Sequence, residues 1–211
     1  TVTEGLITLC NDFAQKTVRK EVIYTKFREK GYKIAKAADI FILDLQDIDR
    51  IVKGLDAKYK AIAFGEGAGT GVAGAWGIAL DVIALVTLNL RAIGEYATYY
   101  GFEICLLREK LFALQVLALA SSPINKATKV TTMAQLVKIA QDVAKKRTWS
   151  ELEKNAAVKA IRKIAETLGV RLTKAKLAEI IPLAGAIIGG GFNAYSTSKV
   201  CTAAYLSLIH I

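Results

Sequence analysis

The scarcity of proline constrains the fold of this chain more than any other feature of its sequence. Only 2 prolines occur among 211 residues, far below the average of about 5%. Proline ends or kinks helices and is favoured in turns, so its scarcity predicts long helices and few turns. Apolar residues recur at three- and four-residue intervals, and no segment reads as a strand. The sequence therefore predicts an all-α multi-helix bundle.

The apolar spacing also predicts where the helices lie and how the chain is divided. The predicted helices are residues 4–36 with a break at Gly31, 39–60 with a weak point at Gly54, 61–80, 81–100, 108–120, 131–144, 150–168, 174–180 and 183–205. Asp81 is expected to cap the helix over 81–100, because its carboxylate can accept from the free N–H groups of a first turn. Residues 1–205 are expected to form one domain, and residues 206–211 are interpreted as a non-native tail.

Two apolar stretches, within 61–80 and 183–194, carry small residues at four-residue intervals, as in a glycine zipper. Glycine costs a helix interior about 1 kcal/mol relative to alanine, and helices accept it where another backbone approaches closely. We therefore predict Gly/Ala-rich apolar helical hairpins that pack on each other or insert into a bilayer. The glycines expected at the close contacts are Gly65, Gly67, Gly69, Gly71, Gly77, Gly185 and Gly189.

Permanent insertion into a membrane is not the simplest interpretation of these stretches. A spanning helix needs about 20 predominantly apolar residues. Among the uncharged runs only residues 180–198 approach that length, and they include Pro182, three consecutive glycines and Asn193. Asp81 interrupts the other long apolar stretch, and an ionised carboxylate in a spanning helix costs about 3 kcal/mol. The sequence favours a peripheral protein whose apolar hairpins are buried.

Basic residues are concentrated in two segments, which points to a negatively charged partner. The formal net charge is +10. Residues 16–36 contain eight basic and two acidic side chains, and residues 145–176 contain ten basic and three acidic side chains. Basic amphipathic helices attract anionic membranes, acidic proteins or nucleic acids, although a solvated helix face is the structural alternative. Aromatic residues are sparse in both segments, which argues against nucleic acid. The residues expected to meet an anionic surface are Lys16, Arg19, Lys20, Lys154, Lys159, Arg162 and Lys163.

The composition excludes several kinds of catalytic and metal site. The single histidine, His210, leaves no His-based triad and no His-rich metal site. The three cysteines are isolated from one another, so they form neither a CxxC motif nor an evident disulfide framework. They fit a reducing compartment, and no secretory signal is visible, so we expect a cytoplasmic protein. No catalytic residue, metal or cofactor is predicted.

Four charged residues embedded in apolar sequence form a candidate buried polar site: Glu66, Asp81, Arg91 and Glu95. Arg91 and Glu95 are four residues apart and can pair on one helix face. Buried charges persist only when they are paired. One interpretation is a site for a headgroup, an ion or acid–base chemistry. The other is an ion-pair network that fixes the register of the helices.

Two motifs carry a family resemblance that covers about residues 5–205. The motif residues are Glu66, Thr70, Gly71, Asp81, Arg91, Glu95, Tyr100 and Gly101 in the first motif, and Lys174, Lys176, Ile181, Pro182, Gly185, Ala186, Gly189 and Asn193 in the second. Their order and spacing resemble the EcsC family. The chain departs from that family where Val82 and Ile83 replace a proline expected soon after Asp81, which puts the local turn in doubt.

The resemblance implies a helical, membrane-associated protein without an established set of catalytic residues. The family is named after a gene encoded with an ABC-type exporter. The leading hypothesis is a non-enzymatic protein that binds lipid or regulates an ABC-type transporter. Its partner would be an anionic membrane surface or a membrane protein, and homo-oligomerisation stays open. The alternative is a soluble enzyme or small-ligand-binding bundle that uses Glu66, Asp81 and Glu95; a pore former is a third, weaker hypothesis.

Overall fold

Helices make up most of the described chain. The computed structural model describes residues 10–71, 74–105, 107–121 and 182–209, with the backbone alone for 70, 71, 74–82, 107, 108, 121 and 182–189. The helices are α1 (residues 10–16), α2 (Lys20–Glu29), α3 (Ala37–Ile40), α4 (Leu45–Val52), α5 (Leu55–Gly71), α6 (Gly74–Tyr99), α7 (Leu107–Ser121) and α8 (Pro182–Leu208). No strand occurs among these described residues, which confirms the predicted all-α fold.

Helix α6 is the central element around which the other described helices pack. It contacts α2, α3, α4, α5, α7 and α8, and residues 92–100 are all buried. A helix that is apolar on all sides is typically buried, and α6 has this character along most of its length. The core therefore surrounds the second half of α6, where Leu90, Ile93 and Tyr99 are among the most fully buried large side chains.

The two glycine-rich helices, α5 and α8, pack extensively on each other. Among the residues whose surroundings are described, they approach closely at Gly190, where an added Cβ would lie 2.9 Å from the carbonyl oxygen of Phe64 and 3.1 Å from its ring. A Cβ on Gly65 or Gly69 would meet no atom within 4 Å. This backbone contact is made by Gly190, a glycine that the four-residue pattern omits.

The end of α6 depends on Gly101. The N–H of Phe102 donates to the carbonyl of Ala97 at 2.9 Å, and that of Gly101 donates to Thr98 at 3.2 Å, which is the Schellman pattern. Gly101 has a φ of +85°, a conformation that glycine adopts without strain. An added Cβ would also lie 2.9 Å from the carbonyl oxygen of Ala37. The glycine therefore both ends α6 and admits the close approach of α3.

The prediction of unbroken helix from residue 4 to Gly31 is wrong in its described part. Helix α1 ends before Thr17, and α2 starts only at Lys20. The Thr17 hydroxyl donates to the carbonyl of Ala14 at 2.7 Å, and the adjacent β-branched pair Thr17 and Val18 has low helix propensity. The break at Gly31 is confirmed, since α2 ends at Glu29 and Gly31 has a φ of +89°.

Two other predicted boundaries also differ from the structure. Residues 39–60 form parts of three helices, because the chain breaks at 41–44 and again at Gly54, whose φ is +92°. The side chain of Asp44 accepts from the backbone N–H of Gln46 at 2.9 Å and so caps α4. The predicted boundary between helices 61–80 and 81–100 is also wrong, because α5 extends to Gly71 and α6 begins at Gly74. Asp81 therefore lies well inside α6 and is not a cap.

The remaining predicted helices fall into two groups. Helix α7 confirms the prediction over 108–120, and α8 confirms that over 183–205. Helix α8 continues through Ser207 and Leu208, both buried, while the interpretation of 206–211 as a non-native tail stays a prediction. The predicted helices over 131–144, 150–168 and 174–180 lie outside the described residues. None of the helices described has the length and apolar character that crossing a membrane requires.

Adjacent glycines in α8 allow a matched test of the α5–α8 contact. Gly190→Ala should lower the free energy of unfolding by about 1–3 kcal/mol, because the Phe64 carbonyl cannot move without displacing α5. Gly191→Ala should leave stability unchanged or raise it by up to about 1 kcal/mol, because nothing lies within 4 Å of the added Cβ. Urea unfolding followed by circular dichroism measures both. Equal effects of the two substitutions would contradict the contact.

The burial of α8 predicts which cysteine reacts with an alkylating agent. Burial raises the pKa of the Cys201 thiol to about 12, and the nearby carboxylate of Asp56 adds to the effect. Because the thiolate is the nucleophile, Cys201 should resist iodoacetamide at about pH 8, whereas the exposed Cys105 should react. Mass spectrometry of the native protein identifies the modified residue. Comparable labelling of both cysteines would show that α8 is not buried at Cys201.

Candidate functional site

Helix α1 is held against α6 by two buried amide side chains. Gln15 Nε2 donates to the carbonyl of Leu90 at 3.1 Å and to Asn11 Oδ1 at 3.1 Å. Asn11 Nδ2 in turn donates to the carbonyl of Lys110 in α7 at 2.9 Å. A Cβ on Gly94 would lie 2.0 Å from Gln15 Oε1, so the glycine lets α1 approach α6. These contacts fix α1 as one wall of the cavity described below.

A buried carboxylate joins α5 to α6. Glu95 of α6 is 7% exposed. Its carboxylate accepts from Lys58 Nζ at 2.8 and 2.9 Å and from the Tyr59 hydroxyl at 2.5 Å. Burial raises the pKa of Tyr59 far above its ordinary value, and the negative charge of Glu95 adds to the effect. The phenol therefore stays protonated and donates to the carboxylate.

This contact sets the register of α5 along α6. Glu66 lies seven residues after Tyr59 on α5, and Arg91 lies four residues before Glu95 on α6. At 1.5 Å per residue these displacements are about 10 Å and 6 Å along two helices that run in opposite directions. Glu66 and Arg91 are therefore carried toward the same end of the helix pair, where both line one cavity.

That cavity has a volume of about 520 Å³, and it opens between α1, α5 and α6. Pockets for small ligands are typically about 300–1,000 Å³ and mainly apolar, with a few polar groups. The apolar part of the wall consists of Phe13, Ile83, Ala84 and Leu88, together with Cys10. The polar part consists of Thr17, Glu66, Thr87 and Arg91. The cavity thus combines an apolar wall with one cation and one carboxylate.

Arg91 is the polar group of this wall best placed to bind an anion. Its Nε is buried and forms no hydrogen bond within the described part of the chain. The hydroxyls of Thr17 and Thr87 already donate to the carbonyls of Ala14 and Ile83, both at 2.7 Å, so their oxygens offer acceptors. A guanidinium is well suited to carboxylate and phosphate oxygens because of its planar set of donors. The cavity can therefore hold an anionic group at Arg91.

The structure separates the four residues of the predicted polar site. Glu66 and Arg91 meet at the cavity. Glu95 does not line it, and its carboxylate is bound to Lys58 and Tyr59 of α5. The side chain of Asp81 lies outside the described residues. Glu95 thus forms an ion pair that fixes the register of the helices, which was the second interpretation of the four charges. Glu66 and Arg91, by contrast, line a site that a ligand can enter.

The predicted basic surface is described only in its first segment. Lys16 and Arg19 are exposed, whereas Lys20 is ion-paired with Glu103 and lies 3.3 Å from the sulfur of Cys105. The members of the second segment, Lys154, Lys159, Arg162 and Lys163, lie outside the described residues. The backbones of the predicted contact glycines Gly71, Gly77, Gly185 and Gly189 lie in described helices, but their surroundings are not described. Gly67 is buried within α5.

Sequence reasoning missed several residues that build the site. Lys58 and Tyr59 bind Glu95, and the sequence predicts only a helix, with no site residue, over 39–60. Tyr59 lies midway between Leu55 and Ala63 at four-residue spacing, and all three are buried, so this apolar row is a signal that could have identified Tyr59 as buried. Asp49 on α4 is half-buried and accepts from the hydroxyls of Tyr100 at 2.6 Å and Tyr205 at 3.1 Å. No sequence signal identifies these tyrosines as its partners.

Metal binding finds no support in the described part of the chain. No group of three or more histidine, cysteine, aspartate or glutamate side chains there could hold a metal ion.

Removing the Tyr59 hydroxyl tests the contact between α5 and α6. Tyr59→Phe should lower the free energy of unfolding by about 1.5–3 kcal/mol, because it removes a hydrogen bond to a charged, buried carboxylate. The matched control is Tyr195→Phe, which should have no measurable effect because Tyr195 is 61% exposed. Chemical denaturation of both variants gives the values. A loss below about 0.5 kcal/mol for Tyr59→Phe would show that the hydroxyl does not stabilise Glu95.

Comparisons with known proteins place most of the chain in one family. The profile of the EcsC protein family matches residues 2–207. The chain is 28% identical over 155 residues to the uncharacterized protein YdbA of Bacillus subtilis (strain 168), a match that covers 74% of this chain and 54% of YdbA. It is 29% identical over 84 residues to protein EcsC of the same organism, covering 40% of this chain and 36% of that protein.

These matches have two limits. The chain spans about half the length of YdbA and a smaller part of EcsC, so the activities of the whole relatives do not transfer directly. No solved structure matches the chain.

Proposed function

The chain belongs to the EcsC protein family, and on this premise we propose that it is a non-enzymatic, cytoplasmic protein that associates with anionic membrane surfaces and binds lipid. The observation that carries this proposal is a set of exposed cations, interspersed with exposed apolar side chains, between residues 13 and 42. Such a surface suits the membrane interface, where cations meet lipid phosphates and apolar side chains enter the boundary of the acyl chains.

The cations of this surface are Lys16, Arg19, Lys30, Lys33 and Lys36, and we call them the basic set. All five are exposed and make no ion pair within the described residues. A Lys or Arg close to an anionic leaflet contributes about 1 kcal/mol to binding. The five together offer at most about 5 kcal/mol, which suits reversible rather than permanent association.

Apolar side chains accompany the basic set along the chain. Val22 follows Arg19 by three residues and is exposed on α2. Phe41 and Ile42 follow α3 and are 58% and 85% exposed. Lys36 precedes the same short helix, so it lies about 8 Å along the chain axis from Phe41. Insertion of Ile42 and Phe41 would add to the attraction between Lys36 and the headgroups.

Two other hypotheses have less support in the described structure. An enzyme using Glu66, Asp81 or Glu95 needs a carboxylate that can exchange a proton with a substrate, and Glu95 is enclosed by Lys58 and Tyr59. Glu66 does line an open cavity, whose mainly apolar wall suits ligand binding. Regulation of an ABC-type transporter rests on the family resemblance, and no described contact bears on it.

Vesicle flotation tests the proposed function. The whole chain should float with vesicles of phosphatidylcholine and phosphatidylglycerol at about 0.01 M salt, but weakly with pure phosphatidylcholine. Binding should fall sharply at about 1 M salt, where the Debye length shrinks from about 30 Å to about 3 Å. The triple variant Lys30→Gln, Lys33→Gln, Lys36→Gln should bind about 10- to 100-fold more weakly.

A charge-matched control separates the basic set from net charge. Lys53→Gln, Lys60→Gln and Lys199→Gln together remove an equal number of charges from the end of α4, from α5 and from α8, and should leave flotation nearly unchanged. Equal loss in the two triple variants would show that net charge, and not the basic set, attracts the protein. Absence of flotation with anionic vesicles at low salt would refute the proposed function.

A further inference from the structure

We propose that the cavity between α1, α5 and α6 binds a single-chain amphiphile, with its anionic head at Arg91 and its acyl chain along the apolar wall. This inference deepens the proposed function by naming the class of lipid. It rests on the proposed function in one respect, namely that the membrane supplies the ligand. The head carries a single negative charge. It is either a carboxylate, as in a fatty acid, or a phosphodiester, as in a monoacyl phospholipid.

The hydrogen-bonding groups that line the cavity favour a ligand that brings an anionic acceptor. Arg91 Nε is a buried donor with no acceptor within the described residues, and such a donor is costly to leave unsatisfied. The protons of the Thr17 and Thr87 hydroxyls are already donated to backbone carbonyls. Neither threonine can therefore replace Arg91 as the donor to a ligand, and the head of the ligand must bring the acceptor.

The charge balance of the wall limits the charge of the ligand. Glu66 contributes a carboxylate to the same wall as Arg91. A polyphosphate would place several negative charges near Glu66, and like charges in a cavity of low dielectric repel strongly. A monoanionic head needs only the guanidinium. This argues for a fatty acid or a monoacyl phosphodiester and against a nucleotide.

The apolar wall and the mouth of the cavity fit an acyl chain that arrives from a membrane. Phe13, Ile83 and Leu88 line the cavity, and Phe13 is 62% exposed. Lys16 of the basic set follows Phe13 by three residues on α1, so both lie on one face of the helix. The mouth of the cavity thus adjoins the surface proposed to meet the lipid headgroups.

Binding of monomeric ligands in the absence of vesicles tests this inference. Isothermal titration of the whole chain uses oleate, oleoyl lysophosphatidylglycerol, oleyl alcohol and inorganic phosphate, with the lipids below their critical micelle concentrations. We expect 1:1 binding of oleate, of the lysophospholipid or of both, which identifies the head. Inorganic phosphate should bind at least 100-fold more weakly, because it lacks the chain. No binding of either lipid anion would overturn the proposal, as would tight binding of phosphate alone.

Variants separate the head from the chain. Arg91→Gln should weaken binding of the anionic lipid about 10- to 100-fold and leave oleyl alcohol unchanged, whereas the matched control Arg50→Gln, at an exposed ion pair on α4, should change neither. Ala84→Trp should fill the cavity and abolish binding of all lipids, with circular dichroism to confirm folding. Equal weakening of oleate and oleyl alcohol by Arg91→Gln would show that Arg91 does not bind the head.

Photo-crosslinking gives a readout on the unmodified protein. A fatty acid with a diazirine on its acyl chain should label peptides that contain residues 10–17 and 83–91, and excess oleate should compete. Labelling confined to other residues would overturn the location. Lipid binding without flotation would refute only the membrane proposal, and flotation without monomeric lipid binding would refute only the cavity proposal.

Discussion

The contact of Glu95 with Lys58 and Tyr59 is the interaction on which the arrangement of α5 and α6 depends. A buried carboxylate without partners is strongly destabilising. The two donors that bind the Glu95 carboxylate, Lys58 Nζ and the Tyr59 hydroxyl, come from consecutive residues of α5. Sliding α5 by one residue would move the Tyr59 hydroxyl by about 1.5 Å and rotate it by about 100°. The hydrogen bonds to the carboxylate can therefore form in only one register of α5 along α6, and in that register Glu66 and Arg91 line the same cavity.

The features that could be predicted from the sequence are those set by local composition. The scarcity of proline and the helical spacing of apolar residues predicted an all-α fold and located α7 and α8. Small residues at four-residue intervals predicted helices that pack on each other or insert into a bilayer; α5 and α8 are in contact, while a glycine zipper stays a prediction. Apolar surroundings identified Glu66, Arg91 and Glu95 as unusual charges, because a charge in such a sequence must find a partner or line a site.

The features that could not be predicted depend on how the helices are rotated and where they meet. The spacing of glycines does not say which of them faces another backbone, and the close contact falls on Gly190 while Gly65 and Gly69 face open space. The charge of Asp49 suggested solvent, but two tyrosines from α8 and the end of α6 reach it. Lys20 was predicted to meet an anionic surface, but in the fold it forms an ion pair with Glu103, which is distant in sequence.

The same register links the stability of the bundle to the proposed lipid site. A double-mutant cycle of Tyr59→Phe and Glu95→Gln tests it most directly, because it isolates the energy of their contact from the effects of each residue alone. The account predicts a coupling free energy of about 1–2 kcal/mol in chemical denaturation. Additive effects of the two substitutions, with coupling within about 0.3 kcal/mol of zero, would contradict the claim that this contact fixes α5 on α6.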